Sequence, residues 1–334
     1  MMILDLPTIM AFTVAFAVFL YVVMDGFDLG LAILFPFARP GDRDTMVNTI
    51  APVWDGNETW LVLGGGAVLA GFPQAYAILL PALYVPIIAM LLGLVFRGVA
   101  FEFRFRSQRR QHWWDRGFVL GSVVASFMQG VALGTVLQGV TVVDGAYGGG
   151  WCDWLTPFSV LCGISVCIAY MLLGACWLIA KTEGHLRDDA YAWARKLVFA
   201  TLAAIVAVSL ATPFLLGQYW QRWFEWPTIA VTGLVPLLVA LVWLALLRTL
   251  AARRDRWPFF LSLALFALCF AGLGVSIYPD IVPGTLTIWE AAAPEKSQVF
   301  FMTGVILLIP VILVYTGYSY WVFRGKVGAD AGYH

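Results

Sequence analysis

Four carboxylates stand inside or beside apolar sequence that would not ordinarily hold them. Asp25 and Asp28 lie in Val22-Val23-Met24-Asp25-Gly26-Phe27-Asp28-Leu29-Gly30, and Asp55 and Glu58 lie in Trp54-Asp55-Gly56-Asn57-Glu58-Thr59-Trp60. The i, i+3 spacing of each pair puts its two members on one face of a helix. An ionisable group within a membrane is costly and marks a functional site by default. Four carboxylates at one depth cannot all stay charged without partners, which suits proton uptake and relay. A structural reading stands beside this one. Asp25-Gly26 could end one helix and Asp28 cap the next, while Asp55 and Glu58 could simply favour a helix N-terminus, where negative charge is stabilised. Trp54 before the second pair and Asn57 within it read as supporting residues. Arg97, Glu102 and Arg104 follow the third apolar run. Arg97 either reaches a carboxylate of the cluster or extends its head to lipid headgroups.

These residues need a membrane-spanning scaffold. The chain has 334 residues, 61% hydrophobic and only 12% charged, against about 25% charged for an ordinary soluble domain. Twenty basic and 20 acidic residues give zero net charge, which argues against a nucleic-acid binder that relies on a strongly basic surface. The apolar runs approach the length of about 20 residues that a helix needs to cross hydrocarbon. They lack the alternating segments of about 10 residues found in a transmembrane barrel. Nine spans are expected, at about 8–36, 54–72, 75–97, 117–137, 157–180, 196–216, 227–247, 258–278 and 300–323, all in one transmembrane domain covering 1–334. No Lys or Arg precedes the first run, and it outlasts the core of a signal peptide, so it reads as a retained helix. Turn residues such as Arg39-Pro40-Gly41-Asp42 and Trp226-Pro227 fall between spans.

With the N-terminus outside, 18 of the 20 Lys and Arg residues fall on the inner side, leaving only Arg222 and Lys296 outside. That asymmetry supports nine spans, a periplasmic N-terminus, a cytoplasmic C-terminus and a bacterial inner membrane. Asp25 then lies roughly 25 Å from the outer end of its helix, in the cytoplasmic half, at a depth similar to that of Asp55 and Glu58. Gly117-x-x-x-Gly121, Gly130-x-x-x-Gly134 and Gly64–Gly66 read as close helix contacts. Most of the 15 Trp residues read as an interfacial belt. The basic run from Arg104 to Arg116 reads as a feature that sets topology.

The five cysteines form no C-x-x-C pair, and the four within or beside apolar runs read as buried hydrophobes. The three histidines, His112, His185 and His334, fall in cytoplasmic loops or the tail. No transmembrane histidine is therefore available as an axial haem ligand, and no iron–sulfur spacing is visible. Neither a P-loop nor a dinucleotide fingerprint occurs. On residues alone, the chain reads as an accessory subunit of a redox complex or as a stand-alone proton-coupled secondary transporter, though no inverted repeat is evident.

The motifs Met24-Asp25-Gly26-Phe27-Asp28-Leu29-Gly30 and Asn48-Thr49-Ile50-Ala51-Pro52-Val53-Trp54-Asp55-Gly56-Asn57-Glu58-Thr59-Trp60-Leu61 are long and specific. Together with Phe96–Arg104, Leu137-Gln138-Gly139-Val140 and Thr287-Ile288-Trp289-Glu290-Ala291, they resemble subunit II of the cytochrome bd-type ubiquinol oxidases over nearly the whole chain. The resemblance implies an all-α membrane protein with nine helices, arranged as two four-helix bundles plus one peripheral helix. It implies a partner, subunit I, that carries haems b and d (or b only) and the quinol-oxidising loop, with no haem held by this chain. The complex oxidises quinol and reduces dioxygen to water. It builds a proton-motive force without pumping. The resemblance also implies a proton path along the subunit interface that includes Asp55, with Asp25 in the same polar region. Some members hold a structural ubiquinone in subunit II, and the family pattern leaves room for a small single-helix accessory subunit. The short external loop at about 217–226, with Glu58-Thr59-Trp60 after Asn57, resembles the cyanide-insensitive branch.

Overall fold

The first helix opens at a polar cap. In the computed structural model, which describes residues 5–226 and 228–328, Asp5 accepts a hydrogen bond from the Thr8 amide at 2.9 Å and Pro7 sits in the first turn. Helix α1 (Leu6–Leu34) then runs unbroken through the Asp25-Gly26 step, so the reading of a helix break there does not hold. A short helix α2 (Arg43–Ile50) leads to α3 (Trp54–Gly71), α4 (Pro73–Ala82) and α5 (Tyr84–Arg106). The next two are α6 (Gln111–Gln138) and α7 (Pro157–Lys181), joined by a two-stranded hairpin of β1 (Val142–Val143) and β2 (Ala146–Tyr147). Helix α8 (Gly184–Ala211) is followed by the short α9 (Gly217–Phe224) and α10 (Ile229–Thr232), then by α11 (Leu234–Ala251) and α12 (Trp257–Ile277). A second hairpin, β3 (Asp280–Val282) with β4 (Leu286–Thr287), precedes α13 (Glu295–Val322).

Among the described residues, eight helices are long and apolar enough to cross a membrane; they open at Leu6, Tyr84, Gln111, Pro157, Gly184, Leu234, Trp257 and Glu295. Helix α3 falls outside that set because Asp55, Asn57 and Glu58 crowd its first turn and a half. The third expected span, 75–97, is corrected. Pro73 starts the separate α4, Leu83 divides it from α5, and the long helix is Tyr84–Arg106. Hydropathy cannot see that joint because Leu79, Leu80, Leu83 and Val85 keep the run apolar across it. The sixth expected span begins twelve residues early, at Gly184, since the charged first turns of α8 are helical too. Pro227, the first residue expected of the seventh span, and His334 lie outside the described residues.

The long helices fall into two groups. α1, α3, α5 and α6 associate on one side and α7, α8, α11 and α12 on the other, with α1 and α6 meeting α7 between them. α13 rests outside, against α3 and α1. Small residues let these backbones touch, as lipid offers no hydrophobic drive of its own. A Cβ at Gly30 would sit 1.7 Å from the Tyr170 carbonyl oxygen, and one at Gly121 would sit 2.5 Å from the Gly93 carbonyl oxygen. Gly65 and Gly66, by contrast, face open space. Phe27 stacks on Trp177 at 4.3 Å beside the α1–α7 contact. We expect Gly30→Ala to force α1 from α7 and to destabilise the fold by about 2 kcal/mol or more, as overpacking does. Thermal inactivation of the detergent-solubilised protein measures this, and an unchanged midpoint would show that the α1–α7 distance does not limit stability.

Candidate functional site

Helix continuity through Gly26 carries Asp25 and Asp28 one turn apart on the inner face of α1, where both are fully buried. The start of α3 lies against them. Val53 precedes that helix without a side-chain cap, so its acidic side chains are free for other contacts. The Glu58 carboxylate ion-pairs with Arg97 of α5, and the other end of the same guanidinium, Nη1, donates to Asp25 Oδ1 at 2.6 Å. Arg97 is 2% exposed. It lies more than two turns before α5 ends at Arg106, and its burial against Asp25 and Glu58 means that its head does not extend outward to headgroups. The Trp54 ring covers its guanidinium at 5.9 Å and lies tilted against Phe101 at 5.0 Å.

Asn57 completes the group. Its Nδ2 donates to Asp28 Oδ2 at 2.8 Å and to the Met24 carbonyl at 3.1 Å, and its Oδ1 accepts from the Tyr320 hydroxyl of α13 at 3.0 Å. Asp28 Oδ1 accepts no hydrogen bond from the described residues. The buried charge of Arg97 is thus matched by Asp25 on one side and Glu58 on the other, with Asp28 held by an amide rather than by a cation. Desolvating two ions is offset only when geometry and extra hydrogen bonds are good; here Arg97 pairs with both acids, but its Nε and Asp28 Oδ1 find no hydrogen-bond partner among the described residues. Glu58 keeps 29% of its side chain exposed, against 1% for Asp25. One carboxylate of the cluster is therefore partly exposed while the others are not.

From residue 6 to residue 323 the chain matches the family Cytochrome bd terminal oxidase subunit II. The chain belongs to that family. It is 32% identical to the cytochrome bd-I ubiquinol oxidase subunit 2 of Escherichia coli (strain K12), covering 92% of this chain and 91% of that one. The Bacillus subtilis cytochrome bd ubiquinol oxidase subunit 2 is 28% identical, with 91% of each chain covered. The structure of the bd oxidase from Geobacillus thermodenitrificans shares the fold, with a TM-score of 0.73 at 17% identity over 93% of this chain and 97% of that one. This subunit II is accordingly a multi-pass membrane protein of a terminal oxidase.

Of the residues singled out in the sequence, Asp25, Asp28, Asn57, Glu58, Arg97 and Trp54 come together. Asp55 and Glu102 do not: both are exposed, Asp55 in the first turn of α3 and Glu102 on α5. The capping reading therefore suits Asp55 by position and does not suit Glu58. Sequence reasoning missed Tyr320, which lies in the last apolar run outside the motifs singled out there. It also missed the second buried arginine of α5. Arg104 is 2% exposed and pairs at 2.7 Å with both Asp115 and Asp44, tying α5 to α6 and α2. The spacing of seven residues from Arg97 to Arg104 was the available signal, since it keeps both on one helical face. His112 and His185 are exposed in the first turns of α6 and α8, so these two do not fit axial ligation of a haem inside this subunit. Among the described residues no cluster of three or more His, Cys, Asp or Glu residues is arranged to hold a metal ion.

Proposed function

We propose that this chain is the haem-free subunit II of a bd-type quinol:oxygen oxidoreductase and conducts cytoplasmic protons toward the oxygen-reducing site of a haem-bearing subunit I. In this reading the complex oxidises quinol, reduces dioxygen to water, and builds a proton-motive force without pumping. The chain crosses the bacterial inner membrane nine times, α3 included, with its N-terminus outside and its C-terminus in the cytoplasm. The distribution of Lys and Arg supports that orientation.

The observation that carries the reading is the buried Arg97 between Asp25 and the partly exposed Glu58. A protein gains no stability from such a costly arrangement over plain apolar contact, so a use for the charges supports its presence. Glu58 takes up a proton where it is exposed. Asp25 and Asp28 accept it in turn, while Arg97 stabilises whichever carboxylate is left anionic. Asn57 spans the gap between α1 and α3 and holds Asp28 in line. Asp55, exposed on α3, serves the same path along the surface that meets subunit I. The haems, in the partner, supply the electron transfer and oxygen chemistry.

The test is Asp55→Asn in the complete oxidase. Oxygen uptake with quinol as donor is expected to fall several-fold, the range expected when a proton-transferring group is lost but another route partly substitutes, while the visible haem spectrum stays intact. Unchanged turnover would remove Asp55 from the path, and loss of haem would make its role structural.

A further inference from the structure

We infer that Tyr320 is a positioning residue that holds Asp28 ready for proton transfer through the Asn57 amide, and that the C-terminal tail sets Tyr320 in place; this rests on the proton-conducting reading above. A carboxamide has one accepting and one donating end. The Tyr320 hydroxyl occupies the accepting end of Asn57 at 3.0 Å, which commits the donating end to Asp28 at 2.8 Å and to the Met24 carbonyl at 3.1 Å. Without that hydroxyl the amide is held from its donating end alone, with its oxygen left without a donor, and its aim at the carboxylate loosens. The ring of Tyr320 has its own support, edge-on to Phe27 at 6.4 Å and to Trp177 at 6.1 Å. Ring and hydroxyl therefore do separate jobs.

Helix α13 does little to fix this residue by itself. Gln298 and Val305 are its buried residues, and both lie toward its far end. Its cytoplasmic end is instead clasped one turn beyond Tyr320. The Lys181 ammonium donates to the Phe323 carbonyl, the Val327 amide donates to the Lys181 carbonyl at 2.8 Å, and Lys326 pairs with Asp255 at 2.6 Å. Asp255 also accepts from the Tyr191 hydroxyl at 3.0 Å. Partial burial pushes the Asp255 carboxyl up, but Lys326 and Tyr191, with Arg187 nearby, outweigh it and hold it below the usual carboxylate range. The clasp is therefore charged and closed at neutral pH. It joins the tail to the α7–α8 and α11–α12 connections, and so sets the depth of Tyr320 against the bundle.

The experiment uses the complete oxidase with both subunits. Tyr320→Phe keeps the ring and is expected to lower quinol-dependent oxygen uptake about fivefold, the worth of one hydrogen bond. The quinol KM and the haem spectrum should not change. The double variant Tyr320→Phe/Asn57→Ala is expected to be no slower than Asn57→Ala alone, since the tyrosine acts through the amide. The pH profile of turnover is expected to shift in Tyr320→Phe; the ionisable groups around Asp28 are Asp25, Glu58, Arg97 and Tyr320 itself. Lys326→Ala, remote from the site, is expected to reproduce about a twofold loss. Wild-type turnover in Tyr320→Phe beside a slow Asp28→Asn overturns this inference and leaves the proton path standing. Wild-type turnover in Asp28→Asn overturns the path itself. Haem loss in Tyr320→Phe makes the residue structural and also overturns the inference, and a wild-type rate in Lys326→Ala overturns the part given to the tail.

Discussion

Arg97→Leu is expected to abolish assembly of the oxidase. The substitution keeps an apolar side chain at this buried position but removes the cation that Asp25 and Glu58 share. Removing one partner of a buried pair costs about 3–5 kcal/mol because the other charge stays buried and uncompensated. Here two carboxylates lose their cation at once, and Asp28 lies beside them. Arg97→Lys should recover only part of the loss, because an ammonium cannot reach both acids with a planar fork. Membrane content of the assembled complex, read from its haem absorbance and from both subunits on a native gel, checks this. Normal assembly of Arg97→Leu would mean that the acids are neutral in the folded chain and need no counter-ion. The double variant Arg97→Leu/Asp25→Asn distinguishes the causes, since it removes one orphaned charge and should regain assembly if the imbalance is the fault.

Glu58→Gln should instead assemble and turn over slowly. The side chain is partly exposed, and glutamine keeps its shape and its contact with Arg97 while losing the ionisable site. Turnover is expected to fall about tenfold, less than the hundredfold or more that loss of an acid or base at a reacting centre costs, because proton delivery shares control of the rate with quinol oxidation. The haem spectrum and the quinol KM are the controls. Full turnover in this variant would show that protons reach the oxygen site without Glu58 and would move the point of uptake to Asp55. Arg97→Leu thus reports on the integrity of the cluster and Glu58→Gln on its use.

Much of the site is legible in the residues alone. The spacing of Asp25 with Asp28 and of Asp55 with Glu58 announces helical faces, and their setting among apolar residues announces a cost that needs a partner. Which partner is not legible. Arg97 looks like a boundary residue because hydropathy stays high from Pro73 across the joint at Leu83, although Pro81 and Pro86 stand on either side of that joint. The division within the second acidic pair is hidden for a similar reason. An i, i+3 spacing places two side chains near each other but does not say which edge of the shared face meets a neighbour, and α5 meets the edge that carries Glu58. Tyr320 is out of reach altogether, since nothing in a single chain links residue 320 to residue 57. The family, by contrast, can be read from two long motifs. Family membership rather than geometry separates the oxidase subunit from a stand-alone transporter, because a buried acid–arginine cluster would serve either.

By itself the sequence determined the class of the protein. Composition, the length of its apolar runs and the one-sided distribution of Lys and Arg follow from the energetics of a bilayer, which act on each segment separately and so leave their mark locally. Only the tertiary structure decided the membership of the cluster: Arg97 within it, Asp55 and Glu102 outside it, and Tyr320 closing it from the last helix. Those outcomes depend on how far one helix slides and turns against another. Close contacts such as that of Gly30 with the Tyr170 carbonyl set those positions to within about an ångström, and no local pattern of residues encodes them.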